Sequence, residues 1–221
     1  MSERFSDWEK VHCNPWFCLY RKDGWHVLGA TGGRSGAATL IIDKHDNVLL
    51  LENFRIAVDE VCLEIPRGGA EAGESHAPCA LREAREETGL DLKIDDLIPL
   101  GSVWPDTGIM SSQVRLFAAR LDFAFDKIEI DQTESRGYRI VPIPSLRAMI
   151  DSGEISDAFT IAACARYFGL ADARRHGAPR DIEILDEGGV VMAEIHTSDP
   201  DWSFEQYCRN RSTVGWRWRF A

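Results

Sequence analysis

The sequence predicts an α/β fold in which strands precede and surround a few helices, a layered sandwich rather than an alternating βαβ array. Three observations carry this. Apolar runs of strand length, set off by turn residues, fill residues 11–65 and recur at 97–103, 114–119 and 138–142. Helix-forming composition is confined to about 77–88, 145–149 and 158–168. Finally, 221 residues with 44% hydrophobic content suffice for one sizeable core, or one core with a small satellite, without disulfide or structural metal.

Taken in order, residues 11–30 read as short strands because Asn14-Pro15 and Lys22-Asp23-Gly24 punctuate apolar and aromatic stretches. Residues 31–36, rich in glycine, read as a flexible connection. Runs at 37–42 and 48–52 flank Asp43-Lys44-His45-Asp46-Asn47, a hairpin signal. The strand at 61–65 is stopped by Pro66. A glycine-rich stretch, 68–73, then leads into the helix at 77–88, where Pro78 is tolerated in the first turn and Gly89 is the stop. Strands at 97–103 and 114–119 flank a loop at 104–113, and a further strand follows at 138–142. Two helices come next, with Gly169 near the end of the second. Residues 174–180 read as a linker, and 181–185 with 190–195 as a hairpin about 186–189. The C-terminus alternates with period two, placing Val214, Trp216, Trp218 and Phe220 on one face and Arg217 and Arg219 on the other. Such a strand closes a sheet edge or enters a subunit interface.

Charge narrows the partners. With 36 Asp and Glu against 25 Lys and Arg, the net charge of −11 opposes nucleic-acid binding and docking on anionic lipid. A phosphate substrate would need positive charge brought in locally, for which a metal ion is the obvious source. Cys13, Cys18, Cys62, Cys79, Cys164 and Cys208 form no CxxC pair and no zinc spacing with histidine, so reduced thiols are expected. Residues 1–10 have no apolar signal region, and no later run approaches the roughly 20 residues of a membrane span. The expectation is a cytoplasmic chain, neither exported nor membrane-embedded.

The chemistry concentrates in residues 68–90. On a helix, Glu83, Glu86 and Glu87 stand at i, i+3 and i+4, three carboxylates on one face within about one turn. They repel one another unless a cation offsets them. Arg82 and Arg85 are sequence neighbours that point around the helix, so a hard divalent ion, which takes oxygen ligands and keeps waters for a phosphate, suits this face better. The glycines ahead of the helix permit close backbone approach.

Gly68, Glu74, Arg82-Glu83-Ala84, Glu86-Glu87 and Gly89-Leu90 resemble the signature box of the Nudix hydrolase family at every specified position. The resemblance implies an α/β/α sandwich with a mixed sheet and cleavage of a diphosphate bond by metal-activated water, with Mg²⁺ or Mn²⁺ held by glutamates of the box. Glu83 and Glu87 would be ligands, Glu86 a ligand or water-orienting group, and Arg82 would hold the carboxylates by charge-assisted hydrogen bonds. Glu74 would tie loop to helix, with Gly89 structural.

Flanking segments resemble the ADP-ribose pyrophosphatase branch of that family: Asn14-Pro15-Trp16-Phe17 with Asp23-Gly24, Glu52-Asn53-Phe54-Arg55, Glu64-Ile65-Pro66-Arg67-Gly68, Pro105, and Gly153-Glu154-Ile155-Ser156-Asp157-Ala158. The likeness spans about residues 11–170. It implies a nucleoside diphosphate sugar as substrate, ADP-ribose first, with Arg55 and Gly68 at the substrate and the main-chain carbonyl of Arg67 on metal. Trp104, Trp16 and Phe54 lie where this branch shapes its site. Glu134 is the candidate general base or extra ligand. Arg136, and the loop from Asp106 to Gln113, have no glutamate where some members carry one, so Glu86 stands as the alternative base. Other nucleotide sugars, NADH or a dinucleoside polyphosphate fit the same box, whereas a non-catalytic metabolite sensor has little reason to keep three repelling carboxylates. Residues 1–36 are expected to form a β segment serving a homodimer, 37–170 the catalytic domain, and 171–221 a C-terminal extension.

Overall fold

The computed structural model describes residues 3–31, 35–126, 128–176, 180–197, 203–204, 207–208 and 213–221. The chain divides into two compact units, Met1–Ala165 and Arg166–Ala221.

The first unit opens with a three-stranded antiparallel sheet of β1 (Glu9–Cys13), β2 (Phe17–Lys22) and β3 (Trp25–Ala30). Asp23 and Gly24 both adopt positive φ (50° and 83°), the geometry a two-residue hairpin turn demands. At the other turn the Asn14 side-chain oxygen accepts from the N–H of Trp16 (2.9 Å) and Phe17 (2.8 Å). Cys13 faces Cys18 across β1 and β2, and the two are joined in a disulfide, which corrects the expectation of six reduced thiols. Strand register, which spacing alone does not reveal, brings them together. Part of the connection expected at 31–36 lies outside the described residues.

A seven-stranded mixed sheet follows: β4 (Gly36–Ile42), β5 (Asn47–Arg55), β6 (Glu60–Glu64), β7 (Arg67–Gly69), β8 (Leu97–Val103), β9 (Val114–Arg120) and β10 (Ser135–Pro142). Its order is β10-β5-β4-β9-β8, with β6 on β5 and β7 on β4. Only β4 and β9 run parallel. Every residue of β4 is buried, as a central strand covered on both faces requires. After meeting β5 at Ile42 and Val48, β4 diverges to pair with β7, so the expected hairpin is splayed. That divergence sets β7 beside the start of β4. Strand β10 begins three residues earlier than its apolar pattern suggests, because the Ser135 hydroxyl bonds Asn53 Oδ1 (2.6 Å) and extends the ladder with β5.

Helix α1 (His76–Thr88) packs Ala84 into a cluster with Ile41, Leu49 and Ala119, and Ala80 into a second with Ala37 and Phe117. Helix α2 (Ile143–Asp151) buries Leu146, and α3 (Ala158–His176) follows. Gly169 does not end α3. An interior glycine costs only about 1 kcal/mol relative to alanine, too little to end a 19-residue helix. Of the expected linker, 174–176 are helical and 177–179 lie outside the described residues.

The second unit holds a three-stranded antiparallel sheet, β11 (Arg180–Leu185), β12 (Val191–Thr197) and β13 (Arg217–Phe220), in the order β12-β11-β13. Ile182 and Ile184 are fully buried. The alternating C-terminus is an edge strand, with Arg219 paired to Glu183 at 2.6 Å. Among the described residues no helix is long and apolar enough to cross a membrane.

Candidate active site

The loop from β7 and the first three turns of α1 build the site. Gly68 is required by proximity: a Cβ there would lie 2.1 Å from Glu83 Cδ and 2.2 Å from both carboxylate oxygens. Gly89 ends α1 at φ 71°, its N–H bonding Arg85 O, a conformation costly to any residue with a Cβ. The helix so placed sets Glu83 against Gly68 and Glu87 against the Arg67 N–H, both in β7.

Arg82 is the hub. Its Nη1 donates to Glu83 Oε1 and Glu86 Oε2, both 2.8 Å. Nε and Nη2 donate to the two oxygens of Glu74 (3.0 and 2.9 Å), and Nη2 also to Gly69 O (2.8 Å). Glu74 in turn accepts from the N–H of Glu71 at 2.8 Å, closing the loop. This corrects the reading of Arg82 as pointing around the helix. A guanidinium has the reach and the fork to serve i+1 and i+4 at once. Cys79, fully buried beneath, places Sγ 3.7 Å from both Gly68 O and Arg82 Nη2.

Glu87 is 4% exposed and accepts the Arg67 N–H at 2.9 Å. Burial pushes its carboxyl up to about 8, with the charges of Glu83 and Glu134 adding to the rise. Burial also raises Glu83, against the pull of Arg82. The Arg82 ion pair holds Glu74 below the ordinary range. Two adjacent carboxyls that resist ionisation are a place where a divalent cation would be strongly favoured. The oxygen donors on hand, from Glu83, Glu86, Glu87 and the Arg67 carbonyl, are hard ligands of the class Mg²⁺ takes. Among the described residues no three Asp, Glu, His or Cys side chains converge on one point as they stand, since Glu83 and Glu86 each give an oxygen to Arg82.

A cleft of about 760 Å³ opens beside these groups, lined by Arg55, Arg67, Gly68, Arg82, Trp16 and Phe159 among others. The N-terminal sheet reaches it because Leu28 exchanges backbone bonds with Ile109 (2.6 Å) and Ser111 (2.9 Å), and Thr31 N–H bonds Trp16 O (3.0 Å). Trp104, at the end of β8, is exposed and outside the cleft lining, and Phe54 lies under the Arg136 guanidinium at 4.3 Å. Glu134 is exposed in the turn before β10, close enough for its charge to raise both Glu83 and Glu87.

A group that residue patterns did not single out is Glu64, the last residue of β6. Its side chain is 1% exposed and bonds Arg55, Arg67 and Asn53 Nδ2 (3.3 Å). The signal was present: a carboxylate between Leu63 and Ile65 in an apolar strand must find cationic partners. Arg67 also meets Asp157 Oδ1 at 3.2 Å and lies 4.6 Å over the Phe159 ring. Asp157 is fixed by Thr160, whose hydroxyl donates to it at 2.8 Å while accepting from Ile65 N–H at 3.0 Å.

A family model described as NUDIX domain matches residues 33–186. The chain is 36% identical over 100 residues to an ADP-ribose pyrophosphatase of Saccharomyces cerevisiae, covering 43% of this chain and 42% of that one. It is 29% identical over 137 residues to an ADP-ribose pyrophosphatase of Bacillus subtilis, covering 62% and 72%. A mouse ADP-sugar pyrophosphatase is 25% identical over 146 residues, covering 64% and 66%. The match thus spans less than half the length of the yeast relative and about two thirds of the mouse one.

Proposed function

Because the chain belongs to the Nudix family, we propose that it hydrolyses the diphosphate bond of a nucleoside diphosphate sugar, ADP-ribose first, to AMP and ribose 5-phosphate. The observation that carries this reading is the grouping of Glu83, packed against Gly68 and tied with Glu86 to Arg82, and Glu87, held by the Arg67 N–H, beside a cleft that Arg55, Arg67, Gly68 and Arg82 line. The names of the yeast, Bacillus and mouse relatives support the substrate class.

Mg²⁺, or Mn²⁺, would be held by Glu83, Glu87 and the Arg67 carbonyl, with Glu86 as a further ligand. When bound, such an ion neutralises charge on the diphosphate and acidifies a water. The chain's own residues do the rest. Arg82 keeps the three carboxylates of Glu74, Glu83 and Glu86 in register by five hydrogen bonds from one fork, two of them to Glu74 and one to the Gly69 carbonyl. The Arg67 N–H orients Glu87 from the opposite side. Glu86 gives one oxygen to Arg82; exposed Glu134 is the proposed proton acceptor from the attacking water, with Glu86, in that case not a ligand, the alternative. Arg55 binds substrate phosphate oxygens from the cleft wall, and Trp16 offers the base an aromatic face.

Residues 1–36 are proposed to pair two copies, since their sheet exposes Val11, Phe17 and Trp25. A panel of nucleotide sugars, NADH and dinucleoside polyphosphates, with products identified, tests the function. Preference for ADP-ribose with AMP as product supports it, and no turnover of any member refutes it.

A further inference from the structure

Arg55 and Arg67 are each fastened to the protein by one edge. Arg55 gives Nε to Glu64 Oε1 (2.9 Å) and Nη2 to Oε2 of the same carboxylate. Arg67 gives Nε (3.2 Å) and Nη2 (3.0 Å) to that oxygen too. The Nη1 of each donates to nothing among the described residues, and both side chains line the cleft. A carboxylate this buried contributes little to stability over a well-packed apolar group. Here it bridges two guanidiniums whose residues line the same cleft. Asp157, Thr160 and Phe159 hold Arg67 further.

We propose that the Arg67 guanidinium is a second cationic contact for the substrate's anionic diphosphate, paired with Arg55, and that Glu64 is the positioning residue that aligns both. This rests on the hydrolase reading and deepens it, since that reading uses only the main chain of Arg67. Planar forks held in a fixed relation suit the oxygens of a diphosphate better than two independent lysines would.

Arg67→Ala removes the guanidinium while keeping the N–H to Glu87 and the carbonyl. The expected result is a KM for ADP-ribose raised about ten- to a hundredfold with kcat changed less than about threefold. The Mg²⁺ activation profile stays as in the wild type, and millimolar guanidinium added to the variant lowers its KM. Glu64→Gln raises KM similarly, and by less when Arg67 is already alanine. Should Arg67→Ala not fold, Arg67→Lys, which keeps charge without the fork, must still raise KM. An unchanged KM in a folded Arg67 variant, or a shifted Mg²⁺ profile with KM unchanged, overturns the proposal while wild-type turnover leaves the hydrolase reading standing. A wild type inert toward every nucleotide tested overturns both.

Discussion

Glutamine at position 87 keeps the acceptor for the Arg67 N–H but cannot ionise, so it isolates the electrostatic cost of a buried carboxylate. The Glu87 carboxyl moves from an ordinary 4.5 to about 8 on folding, chiefly through burial. The folded state therefore holds its proton more tightly than the unfolded chain. The stability this lends is complete below about pH 4.5, declines as pH rises, and is gone once pH passes 8. Above both values the ionised group costs about 5 kcal/mol relative to an unfolded carboxylate, a large fraction of the roughly 5–15 kcal/mol that stabilises a domain. Glu83, also raised, acts in the same direction. Glu64, Glu74 and Asp43 are lowered and change stability only on the acid side. In denaturant unfolding with EDTA, the wild type should lose stability steadily from pH 5 to about 8 and level off above it, and Glu87→Gln should lose much less, the two curves parting by up to about 5 kcal/mol. Mg²⁺ at pH 8 should stabilise the wild type and have little effect on the variant. Parallel curves across that window would refute the reasoning.

Gly68→Ala forces a methyl to within 2.1 Å of the Glu83 carboxyl carbon, so it should fold yet need more Mg²⁺ for half-maximal turnover, read by metal titration. Arg82→Met strips partners from Glu74, Glu83 and Glu86, whose pairing is partly solvent-screened; a loss of about 2–3 kcal/mol in unfolding free energy is expected, along with most activity. Reducing the disulfide between Cys13 and Cys18 should cost the N-terminal sheet about 2 kcal/mol for so short a loop, seen as faster amide exchange in β1 and β2 with β4 unchanged.

Most of the fold was legible wherever periodicity and punctuation agree. Strands β4, β5, β8 and β9 stand out as apolar runs between polar turns, and α1 as a helix closed by Gly89. Strand β7 was not, because Arg67-Gly68-Gly69 has no strand-forming side chain and exists only through pairing with β4. The end of α3 was obscured by Gly169, a helix breaker whose cost is too small to end it. The site divides the same way. Glu83, Glu86 and Glu87 were readable from helical spacing, and Gly68 from the motif, its reason being a steric fit that only coordinates display. The reach of Arg82 and the bridging by Glu64 depend on side-chain length and on strands far apart in sequence, which local pattern does not encode. Trp16 rather than Trp104 lines the cleft for a similar reason: hydrogen bonds between β3 and the 109–112 loop decide it.

Metal-dependent diphosphate hydrolysis at this carboxylate face is read out by phosphatase-coupled turnover of ADP-ribose across an Mg²⁺ titration. The wild type should release AMP and ribose 5-phosphate only when Mg²⁺ is present, and Glu87→Gln should lose about a hundredfold or more of that rate. Turnover indifferent to metal, or undiminished in Glu87→Gln, would contradict it.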